Sequence, residues 1–91
     1  MEDKTVLTCS FSAALRMLKA GKRVTRMGWN GPSQYIEMQV PDDFSKMSLP
    51  YIYICTVTGD LVPWLASQTD LLMEDWAEVV VNEDQAELPI G

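Results

Sequence analysis

The sequence predicts a small α+β domain: a mainly antiparallel sheet, an N-terminal amphipathic helix, and a short second helix before the last strand. Three observations carry this. A single helical periodicity lies near the N-terminus; four short strand-like runs follow, separated by turn residues; and a capping signature stands between the fourth run and a fifth. With 91 residues, one domain over 1–91 is expected, with its core at about 10–81 and a flexible acidic tail at 82–91.

In "SFSAALRMLKAGKRV", Phe11, Ala14, Leu15 and Leu18 recur at i, i+3, i+4 and i+7, one face of a helix. Ser10 suits the N-cap and Gly21 the left-handed C-terminal turn. "KRVTRMGW" reads as a strand and "GWNGPS" as a turn, because Asn30-Gly31 tolerates positive φ and Pro32 stops regular structure. "QYIEMQV" alternates, placing Ile36, Met38 and Val40 on one face and Tyr35, Glu37 and Gln39 on the other. "PDDFSKMSLP" is a polar loop. "YIYICTV" is apolar on both faces, which predicts a strand covered on both sides. One helix covers one side, and the other is expected to meet a second subunit. "TGD" makes a hairpin loop, "LVPW" an edge strand marked by Pro63, Ser67 to Glu74 a short helix, and "WAEVVV" the last strand.

Composition excludes several functions. The chain is 47% apolar and 22% charged, and lacks the ~18-residue apolar run of a membrane span. "MEDKTVLTCS" is too polar for a signal peptide, so a cytoplasmic protein is expected. Two isolated cysteines read as small apolar residues. There is no histidine, which removes the commonest general base and zinc ligand. The net charge of −6 divides unevenly. Residues 1–27 have six basic against two acidic residues, net +4, and residues 28–91 have one against eleven, net −10. Such acidity argues against nucleic-acid binding, while the basic segment 16–26 can hold a small anion.

The candidate chemistry lies in two motifs. In "PWLASQTDLLMEDW", Ser67 and Asp70 have capping-box spacing. The same junction also offers Trp64, Gln68 and Thr69, and Asp75 lies past the first turn, where no capping role is open to it and no structural task is expected. Ionised carboxylates only accept hydrogen bonds, so they suit ribose hydroxyls or base amino groups. In "RMGWNG", Trp29 stands in a turn after the basic segment. There an indole beside Asn30, Arg23 and Arg26 forms a stacking platform with an amide and cations. Aromatics, cations and carboxylates together make a nucleotide pocket plausible beside the plainer reading of core tryptophans and a capped helix. Catalysis is not expected. No phosphate-cradling glycine loop and no nucleophile with its base is visible, no cofactor or metal is called for, and adjacent Glu74 and Asp75 do not face one site on a helix.

"FSAALRMLKAGKRVTRMGWNG" followed by "VPWLASQTDLLMEDW", with "PYIYI" between them, resembles the Thoeris anti-defense two family of small phage and prophage proteins. The resemblance covers about residues 10–80. It implies a non-catalytic sponge that binds a cyclic nucleotide immune signal, glycocyclic ADP-ribose made by a TIR-domain sensor, with cyclic dinucleotides held by some relatives. It further implies a homotetramer with pockets between subunits. Carried over by residue, Trp29 stacks, Asn30 and Asp75 hydrogen-bond, Arg26 or Arg23 meets phosphate, and Ser67, Gln68, Thr69 and Asp70 form the polar run. Pro32-Ser33-Gln34 depart from the family's usual Lys-Gly and bulky residue, and Met73 replaces a common alanine. The alternative is a phage protein–protein interaction module without a nucleotide ligand.

Overall fold

The computed structural model describes residues 7–30 and 33–80. Helix α1 (Phe11–Lys19) precedes strands β1 (Arg23–Arg26), β2 (Tyr35–Gln39), β3 (Tyr51–Cys55) and β4 (Leu61–Pro63); helix α2 (Gln68–Leu72) and strand β5 (Trp76–Val79) complete the order. The expected α+β class and element order hold. The tail at 82–91 and the Gly31-Pro32 pair lie outside the described residues.

Local signals set most boundaries. Ser10 caps α1, its hydroxyl accepting from Ala13 N–H at 3.3 Å. Gly21 ends the helix with φ of +88°, a conformation only glycine adopts without strain. Hairpins join β1–β2, β2–β3 and β3–β4, the last closed through Gly59 with Thr56 N–H donating to the Asp60 carbonyl at 2.9 Å. Pro63 sits on edge strand β4, where a missing N–H costs no internal ladder bond.

Every strand pairing is antiparallel, and the sheet order is β4-β3-β2-β1-β5. The segment β4–α2–β5 therefore carries the chain from one sheet edge to the other. There β5 pairs with β1, and Cys9 exchanges two backbone hydrogen bonds with Trp76. Register aligns Val24, Ile36, Ile54 and Val62 across four strands. Helix α1 lies on this face. Ala14, Leu18, Val24, Ile36 and Trp76 form the buried core, with Phe11, Leu15, Met38, Ile52, Ile54 and Trp64 packed around it.

One expectation needs correction. Val40 was expected on the buried face of β2, but it lies beyond the strand's end and is exposed. Within one chain β3 is covered on one side, by the core beneath α1, and none of its five residues is fully buried. Its outward Tyr53 instead joins a polar patch on the open face. The Tyr53 hydroxyl donates to Glu37 Oε1 at 3.0 Å, and Arg23 Nε donates to the same oxygen at 3.0 Å. Burial and the Glu37 carboxylate push the Tyr53 pKa up to about 12.

Candidate functional site

The site forms where β1 ends, at the residues Arg26-Met27-Gly28-Trp29, opposite the α2–β5 segment. Pairing sets Arg26 directly across from Trp76. Cross-strand partners share a face, so the guanidinium is delivered to the layer that holds α2.

Asp70 meets it there. The capping box is present: Ser67 Oγ accepts from Asp70 N–H at 3.0 Å, and Asp70 Oδ2 accepts from Ser67 N–H at 3.1 Å. The other carboxylate oxygen, Oδ1, accepts from Arg26 Nη1 at 2.9 Å and from the Trp29 indole Nε1 at 3.1 Å. The Asp70 carbonyl accepts from Trp76 Nε1 at 2.9 Å. Thus one residue caps a helix, pairs with a cation and anchors two indoles.

Asp75 grips Arg26 from the other side. Its Oδ1 accepts from Nε at 2.9 Å, and its Oδ2 accepts from Nη2 at 3.3 Å and from Gly28 N–H at 2.9 Å. A Cβ at position 28 would lie 2.7 Å from Asp75 Oδ2 and 3.2 Å from Arg26 Nη2, which is why glycine precedes Trp29. The expectation that Asp75 has no structural task is therefore corrected: it receives three hydrogen bonds from the end of β1. Local spacing could not show this, because Arg26 is 49 residues away in the chain.

The trio is largely removed from water, with side-chain exposures of 10% for Arg26, 11% for Asp70 and 22% for Asp75. The Asp75 hydrogen bond heads the causes that raise the Arg26 pKa. Burial opposes ionisation of Asp70, yet Ser67, Trp29 and Arg26 together hold its pKa below the usual carboxylate value. Arg26, and then Gly28 N–H, lower that of Asp75 against the opposing effect of burial. Both acids thus favour folding when ionised. Their contribution is complete above the unfolded carboxylate range near ~4 and is lost as pH falls through the lower folded values. Thermal melts should be nearly flat from neutrality to about pH 5 and fall steeply below about pH 4. A melting temperature independent of pH down to about pH 2 would contradict this assignment.

Trp29 itself is half-buried. Its ring meets Trp76 edge-on, with centroids 5.4 Å apart and planes at 79°. It lines a cavity of about 330 Å³ together with Thr25, Arg26, Gln34, Tyr35 and Val79.

The other candidates divide into four groups. Arg23 lies on the open sheet face, paired with Glu37 and 4.3 Å above the Tyr35 ring. Trp64 packs against Phe11 and Trp76 at 5.9 and 6.0 Å. Ser67 serves the cap, while Gln68 and Thr69 stand exposed in the first turn of α2. Asn30 is exposed, and its carbonyl accepts from Gln34 Nε2 at 3.3 Å. The structure therefore gathers Arg26, Trp29, Asp70 and Asp75 into one cluster, joined to Ser67 through the cap, and sets Arg23 and Trp64 apart. Sequence reasoning missed Thr25, Gln34, Tyr35 and Val79 as cavity walls. Strand alternation assigned Tyr35 its face but could not place it beside Trp29. Among the described residues, no group of three or more His, Cys, Asp or Glu is placed to hold a metal ion.

A protein-family model, the Thoeris anti-defense 2-like domain, matches residues 9–79. Thoeris anti-defense 2 of Bacillus phage SP01 is 36% identical over an 80-residue alignment covering 74% of this chain and 90% of that relative.

Proposed function

The chain belongs to the Thoeris anti-defense 2-like family, and from that premise we propose that it binds a cyclic nucleotide immune signal and withholds it without degrading it. Family membership supports a phage anti-defence role. The finer reading rests on one observation, the cavity of about 330 Å³ walled by the anchored Trp29 indole and by Tyr35. Its size is at the lower end of the ~300–1,000 Å³ typical of small-molecule pockets. A planar base stacks on a fixed indole without needing a matched hydrogen-bond pattern.

Glycocyclic ADP-ribose is the ligand we assign, with cyclic dinucleotides as further candidates. Arg26 and Arg23 are each held by carboxylates, so a phosphate reaching either must share it with Asp70 and Asp75 or with Glu37. This favours placing the base, rather than the phosphates, against Trp29. The non-catalytic part has a chemical basis. The carboxylates beside the cavity are locked by Arg26 and held below their ordinary pKa, which makes them poor proton carriers at neutral pH. Such a sponge would act in the host cytoplasm, where the signal is produced.

A homotetramer with pockets between subunits belongs to the same proposal. Its support is the uncovered sheet face, where Tyr51 and Leu61 remain exposed beside a groove of about 230 Å³. Light scattering at micromolar concentration should give four times the chain mass; a monomer mass overturns the tetramer.

The decisive experiment incubates the protein with glycocyclic ADP-ribose, removes free ligand and denatures the complex. Recovery of intact ligand is expected. A converted product would establish an enzyme instead. No retention would favour the interaction module, for which the structure offers Phe44. That side chain is 95% exposed on a turn fixed by Phe44 N–H donating to Asp42 Oδ1 at 2.9 Å.

A further inference from the structure

We propose that Asp70 is the positioning residue of the Trp29 platform: by accepting the indole N–H, it fixes the plane of the ring at the cavity wall. This rests on the reading of Trp29 as a stacking surface and adds how that surface is held.

The argument starts from valence. Trp29 has one hydrogen-bond donor and no acceptor. That donor goes to Asp70 Oδ1 at 3.1 Å, so the ring has no remaining polar group and offers the cavity an apolar surface. A ring on a turn after β1 would otherwise rotate about two side-chain torsions. Here it is constrained at two places, by the N–H tether and by its edge-on contact with Trp76. Trp76 is tied to the same residue, through Nε1 to the Asp70 carbonyl at 2.9 Å. Both members of the T-shaped pair are thus referenced to Asp70, whose own position is set by the capping box and by Arg26.

Position 70 also requires a carboxylate. Oδ1 accepts two donors, from Arg26 and Trp29, and Oδ2 accepts Ser67 N–H. An asparagine supplies one oxygen and one amino group, so in either orientation its amino group faces a donor. The capping role alone does not use Oδ1. A residue serving only the cap would leave the indole N–H to water, and losing it would affect Trp29 no more than losing Ser67 does. The two roles can therefore be separated.

The test compares Asp70→Ala with Ser67→Ala in the full chain, both checked for folding by circular dichroism. The first reading needs no ligand: hydrogen exchange of the Trp29 indole N–H, resolved by nuclear magnetic resonance from those of Trp64 and Trp76. Asp70→Ala, which removes the acceptor itself, is expected to accelerate exchange at Trp29 at least about tenfold relative to Ser67→Ala, the difference between a tethered and a free donor. Equal exchange in the two variants overturns the proposal.

The second reading is affinity for glycocyclic ADP-ribose. Replacing Trp29 with benzothienylalanine keeps the bicyclic ring and removes only the donor. In that background the effect of Asp70→Ala should shrink at least about threefold, as expected for coupled residues. An unchanged effect means that Asp70 does not act through the ring. Should Asp70→Ala fail to fold, the benzothienylalanine variant decides alone: affinity at least about threefold weaker is expected, and wild-type affinity overturns the proposal. Should the wild type bind no glycocyclic ADP-ribose, the sponge reading fails while indole exchange still judges the tether. If Asp70→Ala is also unfolded in that case, exchange of the Trp29 indole N–H in wild type decides. Protection beyond that of an exposed indole supports the tether, and unprotected exchange overturns it.

Discussion

Arg26→Ala should be among the most damaging of the substitutions considered, lowering stability by about 3–5 kcal/mol. The reason is the charge left behind. Asp70 and Asp75 are mostly out of water and share this one guanidinium, which offers Nε, Nη1 and Nη2 to them. Without it, two carboxylates face each other with no cation between them, and each must be desolvated or protonated. A domain of this size is stabilised by roughly 5–14 kcal/mol, so the loss takes a large share. The melting temperature should fall by at least about 12 °C. Arg23→Ala is the contrast. Its partner Glu37 is a more exposed carboxylate on the open face, and the expected cost is within about 1 kcal/mol. Similar melting temperatures for the two variants would show that the buried trio is not a stabilising unit.

Trp29→Ala should weaken glycocyclic ADP-ribose binding about five- to 150-fold, corresponding to the ~1–3 kcal/mol of one base stacked on an aromatic ring. Folding should survive. Trp29 is half-buried, and Asp70 Oδ1 keeps its bond to Arg26 when the indole is removed. The stability cost should therefore stay below the ~3–5 kcal/mol of deleting a fully buried aromatic. Trp76→Ala, which removes the largest side chain of the core, provides that upper comparison. Isothermal titration and thermal melts on the same samples separate the outcomes. A folded Trp29→Ala protein with undiminished affinity would exclude stacking at this position.

The candidate site was legible in the sequence as motifs but not as a network. The Ser67–Asp70 box follows from an i,i+3 rule, and it is present. The tie between Asp70 and Trp29 spans 41 positions, and that between Arg26 and Asp75 spans 49. No spacing rule reaches across such distances. Asp75 therefore looked free of structural duty, although its three bonds to the end of β1 help define the site. Gly28 shows the same limit. Its place in Gly-Trp-Asn was visible, but the reason, a carboxylate oxygen where a Cβ would go, depends on the fold.

The sequence by itself determined the elements, because their causes are local: apolar spacing in α1, alternation in β2, the caps at Ser10 and Ser67, and left-handed glycines at 21 and 59. It also carried the family, since the two motifs are long enough to identify it. Tertiary structure decided which elements meet. The β4–α2–β5 crossover places β5 beside β1 rather than beside β4, and this brings Trp76, Asp75 and Asp70 to Arg26. It also left one face of the sheet open within a single chain, the face that the pattern of β3 assigns to a second subunit. Hydrophobic periodicity records which side chains avoid water, but it does not specify the partner that covers them; that depends on contacts between segments distant in the chain.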